Sequence, residues 1–133
     1  MTQEDRTLLL KDLSARLTYG VKCVSGVDDA TLIIEGINPK CNGASEVQVT
    51  YERSGINFDT KISSIKPYLF PLSSMTEEQD KEFALLQTSA GKEGFLYAWN
   101  CANMMKWLIE NHFDYNGLIE KGLAIDATNK NIY

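Results

Sequence analysis

The first twenty residues place apolar side chains at helical spacing. Leucines recur at every fourth position over Leu9–Leu17, a period that predicts an amphipathic helix. Thr2 followed by Asp5 is a helix-start signal, and Gly20 is typical of a helix end. We therefore expect a helix from about residue 3 to 17. Its polar face would carry Lys11, Asp12, Ser14 and Arg16.

The pattern then changes to short segments that alternate between polar and apolar residues or are apolar throughout. Four of them predict strands, at residues 21–24, 31–37, 46–52 and 56–62. Strands spaced about ten residues apart, with turn signals between them, predict an antiparallel meander. A meander of four or five short strands either closes into a small SH3-like barrel or stays open with helices on one face.

A segment with two prolines, residues 65–72, separates the strands from the helices. Pro67 and Pro71 each fix φ and remove a backbone donor, so we expect neither a helix nor a central strand to continue through them. The segment is too apolar for an exposed polyproline ligand. We interpret it as an ordered crossover along the core, through Tyr68, Leu69, Phe70 and Leu72.

The remaining residues predict two to three C-terminal helices. Ser74 with Glu77, and Thr76 with Gln79, fit the capping-box spacing at the start of a helix over residues 75–87. A stronger helix is predicted over 95–111, with Trp99 and Trp107 beside its core stripe. That stripe comprises Ala98, Cys101, Ala102, Met105, Leu108 and Ile109.

A short last helix is predicted after the stronger one. Asp114 would cap it and Gly122 would follow its last turn. The polar tail from Ala127 is expected to be loose. The whole pattern predicts a single α+β domain over residues 1–133, with one helix and the strands in 1–72 and a helical half in 73–133.

Composition narrows the function classes. The apolar share of 44% and charged share of 23% are ordinary for a globular protein. A net charge of −5 argues against non-specific binding to nucleic acid or to an anionic membrane. No apolar run is long enough to span a bilayer, and the acidic start differs from a secretory signal. Three widely spaced cysteines are typical of reduced thiols, so we expect a cytoplasmic protein.

Catalytic and metal sites have weak support. His112 is the only histidine, and the helix end before it would favour its protonated form. Cys101 lies about three helical turns away from it and cannot form a dyad with it. Cys23, Cys41, Cys101 and His112 are zinc-ligand types without the short paired spacings of zinc sites. We therefore predict no catalytic residue, no metal and no cofactor.

Aromatic and basic residues of the strand half are the candidate binding residues. If the sheet closes, three tyrosines and Phe58 would line its mouth, as in modules that bind peptides or stacked bases. Tyr51 and Phe58 fit the core as well. Few basic residues lie near these strands, so they offer little positive charge for binding phosphates. The candidates are Tyr19, Tyr51, Arg53, Lys61 and Tyr68.

Three segments also carry a resemblance. They are LLLKDLSARLTYGVK (residues 8–22), IKPYLFPLSSMTEE (65–78) and HFDYNGLIEKGLA (112–124). They resemble a group of small uncharacterised proteins from the phages and mobile elements of gut bacteria. That group has no assigned activity, so the resemblance implies a mobile-element origin and no mechanism. The part from Val24 to Ser64 lies outside it.

The sequence therefore favours a non-enzymatic accessory protein of a phage or mobile element that binds an unidentified protein partner, with homo-oligomers as a further option. A nucleic-acid-binding small-barrel module is the alternative, and it requires Arg53, Lys61 and Lys66 to form one patch. A small enzyme is the third hypothesis. It requires a pocket in which His112 or a cysteine faces a carboxylate.

Overall fold

A computed structural model describes residues 1–38, 40, 45–88 and 94–133, without the side chains of residue 88 and residues 94–99. This part of the chain has the predicted α+β class. The helices are α1 (Gln3–Arg16), α2 (Glu77–Thr88) and α3 (Gly94–Glu110). The strands are β1 (Lys22–Ser25), β2 (Thr31–Ile37), β3 (Val47–Tyr51), β4 (Asn57–Thr60), β5 (Ile65–Pro71), β6 (Phe113–Asp114) and β7 (Ile125–Asp126).

The strands form one open, mostly antiparallel sheet. Its order is β4-β3-β2-β1-β5, and β6 and β7 pair with β5 in parallel. Within the described residues, β4 pairs with β3 alone, so the sheet does not close. Of the two predicted alternatives, the structure therefore has the open antiparallel sheet and not the SH3-like barrel. The sheet also has more strands than predicted, because the proline segment and two short C-terminal segments join it.

The proline segment forms β5, which has strands on both of its edges. The expectation that no central strand would continue through the prolines was therefore wrong, for a geometric reason. Alternate residues of a strand direct their backbone groups to opposite edges. Gly26 N donates to Ser64 O at 2.8 Å and Phe70 N donates to His112 O at 2.8 Å, so even-numbered residues face β1 and β6. The two prolines are odd-numbered, so their missing donors fall on the opposite edge. The short β7 covers that edge only at Tyr68 and Leu69.

The core lies between α1 and the sheet. Leu9, Leu10 and Leu13 of α1 are buried, as the helical period predicts. The alternation of β3 is also confirmed, because Val47 and Val49 are fully buried. In contrast, Ile56, the first residue of the predicted fourth strand, is 61% exposed and lies just before β4. The other buried apolar residues of this core are Val21, Cys23, Leu32, Ile34, Ile62, Ile65, Leu69, Leu118, Leu123 and Ala124.

The predicted helix starts are confirmed at two places. Asp5 N donates to Thr2 Oγ1 at 3.1 Å, which caps α1. Thr76 and Gln79 form a reciprocal capping box with bonds of 3.1 and 3.0 Å ahead of α2. Ser74 does not take part, because its hydroxyl donates to Pro71 O at 2.7 Å.

The C-terminal segment differs from its prediction. No short α-helix follows Asp114, whose carboxylate instead accepts bonds from Leu118 N and Ile119 N at 3.0 Å. These amides begin a single turn that ends at Gly122, which has φ 73°. Leu123 N donates to Leu118 O and Gly122 N to Ile119 O, the bonding pattern of a Schellman motif.

The tail is also not loose. Ala127 is buried and its N–H donates to Leu69 O at 2.8 Å. Further along, Lys22 Nζ donates to Ile132 O at 2.9 Å. The tail is therefore held against β1 and β5 by backbone groups that its polar composition does not reveal.

Candidate functional site

The tyrosines proposed as binding residues are not gathered at one mouth. Tyr51 packs on Phe58 with ring centroids 5.0 Å apart, and its hydroxyl donates to Asp28 Oδ2 at 3.0 Å. That hydrogen bond raises the pKa of Tyr51. Tyr19 lies half-buried in the turn after α1, and Tyr68 lies half-buried within β5. Because the sheet is open, it has no barrel mouth for them to line.

The basic candidates are also separated. Val47 pairs with Thr60 at one end of the β3–β4 hairpin, whereas the turn of the hairpin lies at the other end. Arg53 is in that turn, beside Asp28, and Lys61 follows β4, beside Thr2. The two cations therefore do not form one patch, which the nucleic-acid hypothesis required.

A buried ion pair connects α1 to the C-terminal segment. Arg16 and Asp12 are 0% and 1% exposed, although both were expected on the polar face of α1. Arg16 Nε donates to Asp12 Oδ1 at 2.6 Å, and Arg16 Nη2 donates to the carbonyl of Phe113 at 2.6 Å. Asn116 Nδ2 donates to Asp12 Oδ2 at 2.8 Å. Spacing of four residues within a helix had permitted this pair, but only the partners at 113 and 116 explain its burial.

A stacked pair of rings lies close to this ion pair. His112 and Tyr133 have ring centroids 3.7 Å apart and an interplanar angle of 11°. Lys22 N donates to Tyr133 Oη at 2.9 Å, and Tyr133 Oη donates to Tyr68 O at 2.9 Å. The Tyr133 hydroxyl thus connects β1 to β5 next to Cys23, where the direct pairing of the two strands ends.

His112 is neutral in this setting, contrary to the expectation from the helix dipole. Burial, followed by the nearby charges of Arg16 and Lys22, lowers the pKa of His112 to about 4. Its backbone has φ 62°, a left-handed conformation that is uncommon for residues other than glycine. Nδ1 of His112 and Nη1 of Arg16 are buried without a hydrogen-bond partner among the described residues.

The two cysteines that the structure describes, Cys23 and Cys101, form no metal-binding group with His112. Cys23 is buried in β1, and burial raises the pKa of its thiol to about 12. Cys101 is exposed on α3, although it was predicted in the core. Cys41 lies outside the described residues. Over residues 1–38, 40, 45–88 and 94–133, no three histidine, cysteine or acidic side chains are grouped to hold a metal ion.

The enzyme hypothesis requires a pocket in which His112 or a cysteine faces a carboxylate. Five surface pockets of the described chain are lined by neither His112 nor a cysteine. The neutral imidazole of His112 faces cations and aromatic rings, and the structure brings no carboxylate into hydrogen-bond contact with it within the described residues. Catalytic histidines are usually oriented by a carboxylate that accepts a hydrogen bond from the ring, and no described residue does this for His112.

The helix α3 presents an unexpected apolar surface. Cys101, Ala102 and Met105 were predicted to face the core, but all three are exposed, Met105 by 40%. At about 100° per residue they lie within one arc of the helix, with the half-buried Ile109 in the same arc. We call these four residues the α3 stripe.

The opposite side of α3 is the one that packs. Trp107 stacks on Phe113 with centroids 5.6 Å apart and also contacts Phe83 of α2 at 5.4 Å. Asn100 is buried on that side, and the buried Leu108 lies at the border of the α3 stripe. The helix is apolar nearly all round, so periodicity alone could not tell which side is covered. Asn100 is buried although it is polar, so the packed side of α3 did not follow from its hydrophobic pattern.

The described residues thus define an α+β protein with an open sheet, followed by the helices α2 and α3, of which α3 carries the exposed α3 stripe. No protein family, curated protein or solved structure matches this chain. In the described part of the chain, no helix combines the length and apolar character needed to cross a bilayer.

Proposed function

We propose that this protein is a non-enzymatic accessory protein that binds a protein partner through the α3 stripe. The observation that carries the proposal is the exposure of Cys101, Ala102 and Met105 along one side of α3. A contiguous patch of exposed apolar side chains marks an interaction site more often than single exposed apolar residues do.

The small residues of the stripe suit a helical partner. Cys101 and Ala102 let a second helix approach closely, and Met105 adapts its flexible side chain to the partner surface. Each apolar group transferred from water to the contact contributes about 25 cal/mol per Å².

A mobile-element origin remains part of the proposal. The three segments that resemble phage-associated proteins contact one another in the fold. Arg16 of the first bonds to Phe113 of the third, and Phe70 of the second bonds to His112. In this proposal the three segments form one structural unit, and β2–β4 lie outside it.

The proposal predicts that Met105→Glu abolishes partner binding without unfolding the protein. The substituted carboxylate would remain in water in the free protein and would lose its hydration in the complex. Tagged wild-type and variant proteins would be compared by quantitative affinity capture, and a captured protein would then be titrated in purified form. We expect a loss of affinity of at least about tenfold, or 1.4 kcal/mol.

Lys106→Gln is the matched control, because Lys106 is an exposed neighbour on the same helix. It should bind as the wild type does. Thermal melting of both variants should agree with the wild type, since exposed substitutions usually change stability by no more than about 0.5 kcal/mol. Equal binding by Met105→Glu and the wild type would contradict the proposal, and so would unfolding of Met105→Glu, which would place the stripe in the core.

A further inference from the structure

The strand β4 lies at an edge of the sheet, and part of its backbone points away from its neighbour β3. Tyr51 N donates to Ile56 O at 2.9 Å, and from there β3 and β4 pair without a shift of register. Because bonded and non-bonded pairs alternate in an antiparallel ladder, Phe58 bonds to β3, whereas the backbone groups of Asn57 and Asp59 point outward. Within the described residues, no backbone group of Asn57 or Asp59 has a hydrogen-bond partner.

The same edge exposes apolar side chains. Ile56 is 61% exposed, and Phe58, which packs on Tyr51, is only half-buried. Natural proteins protect open strand edges with charges or with covering segments. In β4 the charge is that of one residue, Asp59. Outward-pointing backbone donors and acceptors beside half-exposed apolar groups fit another extended strand as their occupant.

We propose that this occupant is β4 of a second copy of the chain, paired antiparallel about a twofold axis at Phe58. Opposite residues of an antiparallel pair lie on the same face of the sheet. An axis at Phe58 meets this condition and places Asn57 of each copy opposite Asp59 of the other. Since the backbone groups of both residues point outward, each of these pairs exchanges both of its backbone hydrogen bonds.

Asp59 selects this register over its neighbour. An axis at Asp59 would bring the carboxylates of the two copies directly opposite each other, and like charges in that position are destabilising. The axis at Phe58 gives Asp59 a neutral partner instead. Asn57 Nδ2 donates to Thr50 Oγ1 at 2.9 Å, and its second hydrogen can donate to the Asp59 carboxylate of the other copy.

This contact is separate from the α3 stripe and goes beyond the proposed function. The strands β4 and β6 lie at opposite ends of the sheet order, and α3 packs beside β6 through Trp107 on Phe113. A second copy at β4 therefore neither requires nor excludes a partner on α3.

Sedimentation velocity of the full chain over a range of concentrations tests the contact. We expect a monomer–dimer equilibrium that shifts toward the dimer at high salt, because each copy has a net charge of −5 and salt screens the repulsion between copies. Asn57→Asp places two aspartates opposite each other in both pairs. It should weaken dimerisation by at least about tenfold.

The double variant Asn57→Asp/Asp59→Asn is the matched control. It exchanges the two side chains, so each aspartate again faces an asparagine and the net charge equals that of the wild type. We expect it to restore the dimer. Lys11→Gln, on the exposed side of α1, lowers the net charge by the same unit as Asn57→Asp and should dimerise nearly as the wild type does. The melting temperatures of the monomers should stay close together, because all the substituted residues are exposed.

Three outcomes would overturn the contact. One is a wild-type chain that stays monomeric at both low and high salt. Another is a dimer that Asn57→Asp does not weaken, or that the double variant does not restore. The last is a dimer that Met105→Glu dissociates and Asn57→Asp does not, which would place the second copy on the α3 stripe. Affinity capture with Met105→Glu tests the proposed function separately.

Discussion

At the scale of single residues, we expect substitutions at the buried charges to change the stability of the protein most. Arg16 is fully buried, and its guanidinium carbon lies 4.8 Å from the centre of the Tyr115 ring. Its ion pair with Asp12 is enclosed by groups from the C-terminal segment. Removing one member of a buried pair leaves the other charge without compensation, which costs far more than the pair itself contributes.

Asp12→Ala should therefore destabilise the protein by about 3–5 kcal/mol. Replacing both members, as in Asp12→Leu/Arg16→Met, should restore most of that loss because no charge remains buried. The free energy of unfolding would be measured by urea denaturation. Glu110→Ala is the control, since its exposed i,i+4 pair with Lys106 should contribute less than about 0.5 kcal/mol. A loss below about 1 kcal/mol in Asp12→Ala would contradict the burial argument.

His112 makes stability depend on pH in a defined direction. Its pKa falls from the ordinary 6.5 to about 4 in the folded protein, mainly through burial. The unfolded chain therefore binds the proton more readily, and stability decreases as the pH falls from about 6.5 to 4. We expect a loss of about 2 kcal/mol after allowance for solvent screening.

His112→Asn should flatten this part of the pH profile, because asparagine does not titrate and tolerates the left-handed backbone at this position. Urea unfolding at a series of pH values would measure the change. An unaltered slope between pH 6.5 and 4 in the variant would assign the pH dependence to other groups.

At the scale of elements, the turn that ends at Gly122 shows how backbone conformation directs the chain. Gly122 adopts φ 73°, and open space surrounds the position of a Cβ atom there. The requirement for glycine is therefore one of backbone strain and not of crowding. The turn positions β7 to pair with β5 and brings Leu118 into the core.

Gly122→Ala should destabilise the protein by about 1–2 kcal/mol, the cost of a left-handed conformation with a Cβ atom. Gly122→Asn should cost less, because asparagine adopts this conformation more readily. Thermal unfolding of both variants would measure the difference. Equal losses for alanine and asparagine would show that the conformation at residue 122 is not the cause.

At the scale of the whole molecule, the tail joins elements that lie far apart in sequence. Tyr133 contacts Lys22, Tyr68 and His112, and Phe70 lies 6.0 Å from its ring. Burial raises the pKa of the Tyr133 phenol. The hydroxyl thus stays protonated and donates across the end of β1, where the sheet would otherwise leave a gap.

Tyr133→Phe should lower the free energy of unfolding by about 1 kcal/mol, because the hydrogen bonds to Lys22 and Tyr68 are lost. Hydrogen exchange at the amide of Lys22 should become faster, as NMR would show. Tyr51→Phe is the control, since the partner that the described residues give its hydroxyl is the exposed side chain of Asp28. An unchanged hydrogen-exchange rate at the Lys22 amide in Tyr133→Phe would show that the phenol does not bridge the two strands.

Sequence periodicity determined the local structure of this protein well. It placed α1, the alternation of β3, the capping box at Thr76 and the Schellman glycine, because each depends on residues close in the chain. It also determined the α+β class. These features follow from backbone propensity and from hydrogen bonds between neighbours in sequence.

Tertiary structure decided the rest, since it depends on which surfaces meet. The prolines of β5 fit a central strand only because both face the sparsely covered edge. Arg16 is buried only because Phe113 supplies a carbonyl from 97 residues away. The α3 stripe is exposed because the other side of an almost uniformly apolar helix packs inward. No local pattern contains those contacts, so the candidate interaction surface could not be predicted from sequence alone.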